Sequence, residues 1–206
     1  LVAIAWSLFQ LWFASPLPFM LGFGVLNDTQ ARAVHLSFAL LLGFLAFPAR
    51  ARSPRDRVPL VDWALAVVAV SAVLYLIVFY AALAQRPGLP TRVDIIVAVV
   101  GIVLLLEASR RAEGPWMPAL SIIFLAYVFL GPWLPGLIAH KGASVSRAAS
   151  HFWLTSEGVF GVALGVSTSF IFLFVLFGAL LEKAGAGNYF IQLAFALLGQ
   201  FRGGPA

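Results

Sequence analysis

Cysteine is absent from the 206 residues. Disulfides and thiolate metal sites are therefore excluded, and the absence identifies no compartment. Charge is scarce as well: Asp, Glu, Lys and Arg make up 10% of the chain, where a soluble domain carries about 25%. Hydrophobic residues fill 62% of it, and the mean hydropathy is +1.01. So apolar a chain cannot cover itself with polar surface. That argues against a water-soluble globular domain and leaves lipid as the solvent. No charged leader precedes the apolar residues at Leu1 and no small-residue cleavage site follows them. A signal peptide is not expected, and the chain is expected to begin partway into its first span. The net charge of +5 sits in short connectors, where it reads as membrane topology and not as a nucleic-acid footprint. No internal repeat is visible.

What is present is a succession of apolar segments. Leu1 to Phe13 reads as the tail of a first helix, stopped by Ser15-Pro16-Leu17-Pro18, because two prolines remove donors and restrict their neighbours. Asn27-Asp28-Thr29 supplies caps for a helix over about Ala31 to Phe47, ended at Pro48. Further spans are expected over about Leu60 to Leu83, Val93 to Leu106 (capped by Thr91 or Asp94) and Pro115 to Leu130. A sixth combines Gly158 to Gly165 with the run Val166 to Leu181. A thinner segment, Tyr189 to Leu198, is too short to cross alone. The expected fold is thus all-α and integral to the membrane, with about six transmembrane helices and short loops.

Lys and Arg set the orientation. With the Ala49–Pro59 connector on one side, that side holds Arg50, Arg52, Arg55, Arg57, Arg110, Arg111, Lys183 and Arg202. The other holds Arg32, Arg86, Arg92, Lys141 and Arg147. Eight against five places the Arg50–Arg57 loop in the cytoplasm and residues 15–30, 85–92 and 132–157 outside.

No catalytic constellation is found, and no enzyme is expected. His35, His140 and His151 form no i, i+4 pair, so polar histidines are the expectation and metal the exception. Gly22-Phe23-Gly24 lacks the third glycine of a dinucleotide loop, and no serine sits in a G-x-S-x-G elbow. Asp62, Asp94 and Glu107 lie near span ends, where a carboxylate reaches headgroups cheaply. Glu107 has Arg110 and Arg111 at i+3 and i+4, which reads as a helix-end ion pair or as a group used in coupling or subunit contact.

The last 55 residues carry most of the remaining signal. Gly158, Gly161 and Gly165 fall near one face of a helix, for close packing against a neighbour or for a hinge. Ser167-Thr168-Ser169 is the most polar cluster inside a span; its hydroxyls bond back to the preceding turn or face a polar cavity. Phe152, Trp153 and Glu157 precede the span, as part of an aromatic belt or as a docking surface for a partner. Glu182-Lys183, followed by Ala184-Gly185-Ala186-Gly187-Asn188, reads as a helix stop at a membrane surface.

The words LTSEGVFGVALGVSTSFIFLFVLFGALLEKAGAG and FRGGPA resemble the start of the large membrane subunit of tripartite ATP-independent periplasmic (TRAP) transporters. The whole chain resembles the fused permease form, in which the small subunit precedes the large one. The resemblance implies small-subunit helices over 1–112, a linker helix and external connector over 113–150, and the start of the large-subunit transport domain over 151–206. It implies that Glu182, Lys183, Gly185 and Gly187 form the hinge opening an interfacial arm helix. It further implies a sodium-coupled importer of organic acids, served by a periplasmic substrate-binding protein, often of the TAXI class. The sodium and substrate hairpins are expected beyond Ala206, which makes the chain a fragment with a scaffold role in the bilayer beside the remainder of the large subunit. The alternative is a non-transporting structural or assembly membrane subunit.

Overall fold

The computed structural model describes residues 1–49 and 58–198. The Arg50–Arg57 loop and Arg202 therefore lie outside the described residues. Among the described residues every regular element is helical: α1 (Val2–Ala14), α2 (Leu17–Leu21), α3 (Asp28–Ala46), α4 (Leu60–Val78), α5 (Tyr80–Ala84), α6 (Arg92–Glu113), α7 (Trp116–Leu130), α8 (Val145–Ala149), α9 (Val162–Val166), α10 (Phe172–Lys183) and α11 (Ala186–Leu198). A 3-10 turn covers Gly131–Trp133, and two π-helical segments, π1 (Ser150–Leu154) and π2 (Ser167–Ile171), continue α8 and α9.

Four stretches are long and apolar enough to cross a membrane: Asp28–Ala46, Leu60–Val78, Trp116–Trp133 and Val162–Lys183. Helix α6 is long enough at 22 residues but carries Arg92, Asp94, Glu107, Arg110, Arg111 and Glu113 at its two ends. Helix ends follow the sequence closely. Asn27 caps α3 through a reciprocal pair with Gln30, and Thr91 caps α6 in the same way with Asp94. The expected span over Leu60–Leu83 is interrupted: Phe79 leaves helical geometry and a separate short helix, α5, follows.

The chain divides into two compact units, 1–165 and 166–206. In the first, α3, α4 and α6 share a core. Ala66, Ala69, Val73 and Leu76 make one stripe of α4, facing Leu36, Leu40 and Phe44 of α3 and Ala98, Leu104 and Ala108 of α6. Alanine dominates because in lipid there is little hydrophobic drive between helices, so close backbone approach and dispersion carry the association. Helix α1 lies on α3 through aromatic contacts, Trp6 with His35 and Phe38, and Phe9 with Phe38. In the second unit, π2 runs into α10, and α10 is joined to α11 by a turn at Ala184-Gly185, where Gly185 takes φ 78°.

Candidate functional site

The centre of the first unit is closed by a residue far along the chain. Segment α8–π1 carries Trp153 into the core, where it is 0% exposed. Its indole Nε1 donates to the Ala72 carbonyl of α4 at 3.3 Å, and its ring meets Phe160 edge-on. The ring fills a notch in α6 left by Gly101; a Cβ there would lie 2.2 Å from the indole. Trp153 is therefore a wedge between α4 and α6 and cannot belong to an exposed docking surface. Of the three residues expected to face a partner, Phe152 is half-buried, and only Glu157 is exposed, 3.1 Å from His151 Nδ1.

The glycines after it are placed differently from expectation. Gly158 and Gly161 lie in a turn ahead of α9, so the three glycines share no helix face. The chain doubles back here: Val159 N–H donates to the Phe152 carbonyl at 2.8 Å, and a Cβ on Gly158 would lie 2.4 Å from the Phe152 backbone. A Cβ on Gly161 would lie 2.7 Å from the Glu157 carbonyl. These two glycines serve their own turn, not a neighbouring helix. Gly165 does lie on α9, and its missing side chain is replaced by the Arg32 guanidinium, 2.8 Å from where a Cβ would sit. Arg32, from the second turn of α3, donates to the carbonyls of Phe160 (2.9 Å) and Gly161 (3.4 Å) and approaches Asp28 at 3.8 Å. It supplies donors to carbonyls ahead of α9. Replacing Arg32 with Met should lower stability by about 1–3 kcal/mol, the cost of leaving such carbonyls unmet. Chemical unfolding in detergent would read this, and an unchanged midpoint would show the contact to be idle.

Two charged clusters hold the ends of α4 and α6. At one end Arg111 pairs with Asp62 of α4 at 2.8 Å, both side chains nearly buried, and with Glu107 at 2.8 Å, while its guanidinium lies 4.9 Å over the Phe44 ring of α3. Arg110 grips Glu107 at 2.7 Å and reaches the Ala49 carbonyl at 3.1 Å. Glu107 lies beyond the apolar stretch of its helix. The Arg110 guanidinium, helped by Arg111 and opposed by partial burial, holds its carboxyl down at about 2. At the other end Asp94, 0% exposed, accepts from Tyr75 Oη, the Thr91 amide and Arg86 Nη2.

The histidines are dispersed: His35 accepts from Trp6 Nε1 at 3.2 Å inside the bundle, and His140 Nε2 lies 3.0 Å from the Tyr127 carbonyl. In the second unit, Ser167, Thr168 and Ser169 all fall in π2, with Thr168 buried, Ser167 half-buried and Ser169 exposed. Glu182 and Lys183 end α10, Gly185 makes the turn, and Gly187 lies within the first turn of α11.

A family model described as Tripartite ATP-independent periplasmic transporter, DctM component, matches residues 100–206. The chain belongs to this family. Comparison with curated proteins and with solved structures gave no match. The DctM component is a transporter component, and with its membrane-length helices this chain is a multi-pass membrane protein. The DctM match begins inside α6, one residue before the Gly101 notch. It divides the contacts just described. Trp153, Phe160, Gly161 and Arg111 lie within the matched stretch; their partners Ala72, Arg32 and Asp62 lie before it. Sequence reasoning singled out none of these pairings. Gly101, alone in an otherwise apolar run, was the one available signal.

Proposed function

We propose that these residues form the scaffold portion of a sodium-coupled secondary importer of organic acids, a fused TRAP permease served by a periplasmic substrate-binding protein. The observation that carries this reading is the DctM match, joined to α3 and α4 by three separate tethers: the Trp153 wedge, the Arg32 donors and the Arg111–Asp62 pair. A permease whose two parts are one chain needs such tethers to brace a moving domain. Residues 1–112 are then small-subunit helices, 113–150 the linker, and 151–206 the start of the large subunit, with α11 as the arm helix after the Glu182–Gly187 hinge. These divisions mark component junctions, not gaps in packing. Sodium and the organic acid bind in other parts of the permease. Ser167, Thr168 and Ser169 line its polar side, and Glu157 with Phe152 faces the binding protein.

The six-span topology has support in the first unit. Thr29, the 86–90 turn and Ser150–Ser156 meet at one end of the bundle, while Ala49 and Arg110 meet at the other. The end with Ala49 is the cytoplasmic one by its Arg and Lys excess. Arg55→Cys should be labelled only from the cytoplasm and Pro87→Cys only from outside; reversed accessibility would overturn the orientation. Uptake is tested in proteoliposomes holding the permease that contains these residues, with its binding protein present. Organic-acid accumulation should follow an imposed sodium gradient and stop when the gradient is collapsed. Uptake indifferent to sodium, or none of any organic acid, would favour the structural-subunit alternative.

A further inference from the structure

A polar cavity remains unused by the tethers. It holds about 210 Å³ and lies at the end of the first unit where the 86–90 turn, the start of α3 and π1 meet. Its polar wall is Thr29, Tyr80, Arg86, Ser150, Thr155 and Ser156; the rest is apolar. All but Arg86 bring hydroxyls, and no carboxylate lines it. A guanidinium carries five N–H donors. Here only Nη2 has an acceptor among the described residues, Asp94 at 3.1 Å, and Nε is buried with none. Asp94 is itself satisfied from Tyr75 and Thr91, so its hold on Arg86 is a single nitrogen. A neighbouring cavity of about 350 Å³ shares Gly88, Ser150 and Thr155 and adds Arg147 and His151, with Glu157 as the opposing charge.

We propose that this cavity binds an oxyanion, a carboxylate or a phosphate, on the unused donors of Arg86 with the surrounding hydroxyls. An oxyanion accepts from a guanidinium through two oxygens, and serine, threonine and tyrosine hydroxyls donate to it without adding charge. The volume falls below the roughly 300–1,000 Å³ of clefts for drug-sized ligands, which fits a small acid or a single headgroup. The inference concerns binding alone and does not depend on transport.

The test uses the purified protein in detergent and in nanodiscs. Intrinsic tryptophan fluorescence is suited to it, because Trp153 adjoins Leu154 in the cavity wall. Acetate, succinate and inorganic phosphate are titrated in detergent for a free anion. For a lipid source, phosphatidylglycerol is compared with phosphatidylcholine by native mass spectrometry. Saturable binding of any free anion, or retention of phosphatidylglycerol over phosphatidylcholine, is expected and assigns the source. Arg86→Gln should weaken it at least tenfold. Ser156→Leu, which leaves the Arg86–Asp94 pair intact, should do the same by filling the cavity, and decides the matter if Arg86→Gln fails to fold. Arg110→Gln, at the opposite end, should bind as the parent does. Absence of binding by every probe, or binding that survives Ser156→Leu, overturns the site.

Discussion

Gly101→Ala should cost about 3 kcal/mol, far more than a methyl group ordinarily does. The added Cβ would stand 2.2 Å from an indole carbon, and the indole has nowhere to go. Trp153 is fully buried, pinned by its bond to Ala72 on one side and by Phe160 on the other. Overpacking of a filled core commonly costs about 1–3 kcal/mol, and this site sits at the upper end because backbone and ring must both move. Gly101→Leu should abolish folding of the first unit. The companion change Trp153→Leu alone opens a cavity and should cost roughly 3–5 kcal/mol or somewhat less, as for large-to-small changes generally. The double variant Gly101→Ala with Trp153→Leu should be more stable than the sum of the two single losses allows, because each relieves the other. Denaturant midpoints in detergent for the four proteins decide it. Strict additivity would mean that the ring and the notch do not meet.

The second large effect is expected at the charged end of α4 and α6. Arg111→Leu strands Asp62, whose side chain is only 5% exposed, and should cost about 3–5 kcal/mol. Asp62→Leu should cost a similar amount by stranding Arg111, which keeps Glu107 as a second partner and so falls nearer the lower figure. Changing both to leucine should return most of the loss, since a well-packed apolar pair often equals a buried ion pair. Arg110→Ala is the control. Its side chain is 43% exposed, and such pairs are worth at most about 1 kcal/mol. Equal losses at Arg110 and Arg111 would show that burial is not what gives the pair its weight.

Much of this architecture could be read before any coordinates. Helix starts followed capping chemistry, which is local: Asn27 and Thr91 sit where their side chains reach an amide three residues on. The Glu107 pair was legible for the same reason, because i+3 and i+4 neighbours meet on any helix. What failed was anything set by partners distant in sequence. An aromatic residue of the membrane belt and one of the core are chemically alike, so Trp153 could not be assigned without knowing that Gly101 faces it. The glycines at 158 and 161 mimic a packing stripe, but the stripe presupposes a helix, and that helix starts only at Val162. The interruption of α4 at Phe79 carries neither proline nor glycine, and the structure gives no local cause for it.

The π1 turn makes chain length itself a constraint. A π turn closes i to i+5 bonds and so takes up one more residue than an α turn. Were a single codon lost between Val145 and Leu154, the segment would relax to ordinary α geometry, and everything after the lesion would rotate by about 100°. The indole would then point away from its slot, although every amino acid needed to fill it were still encoded. Heritable insertions and deletions should therefore be purged from these ten residues more severely than most substitutions.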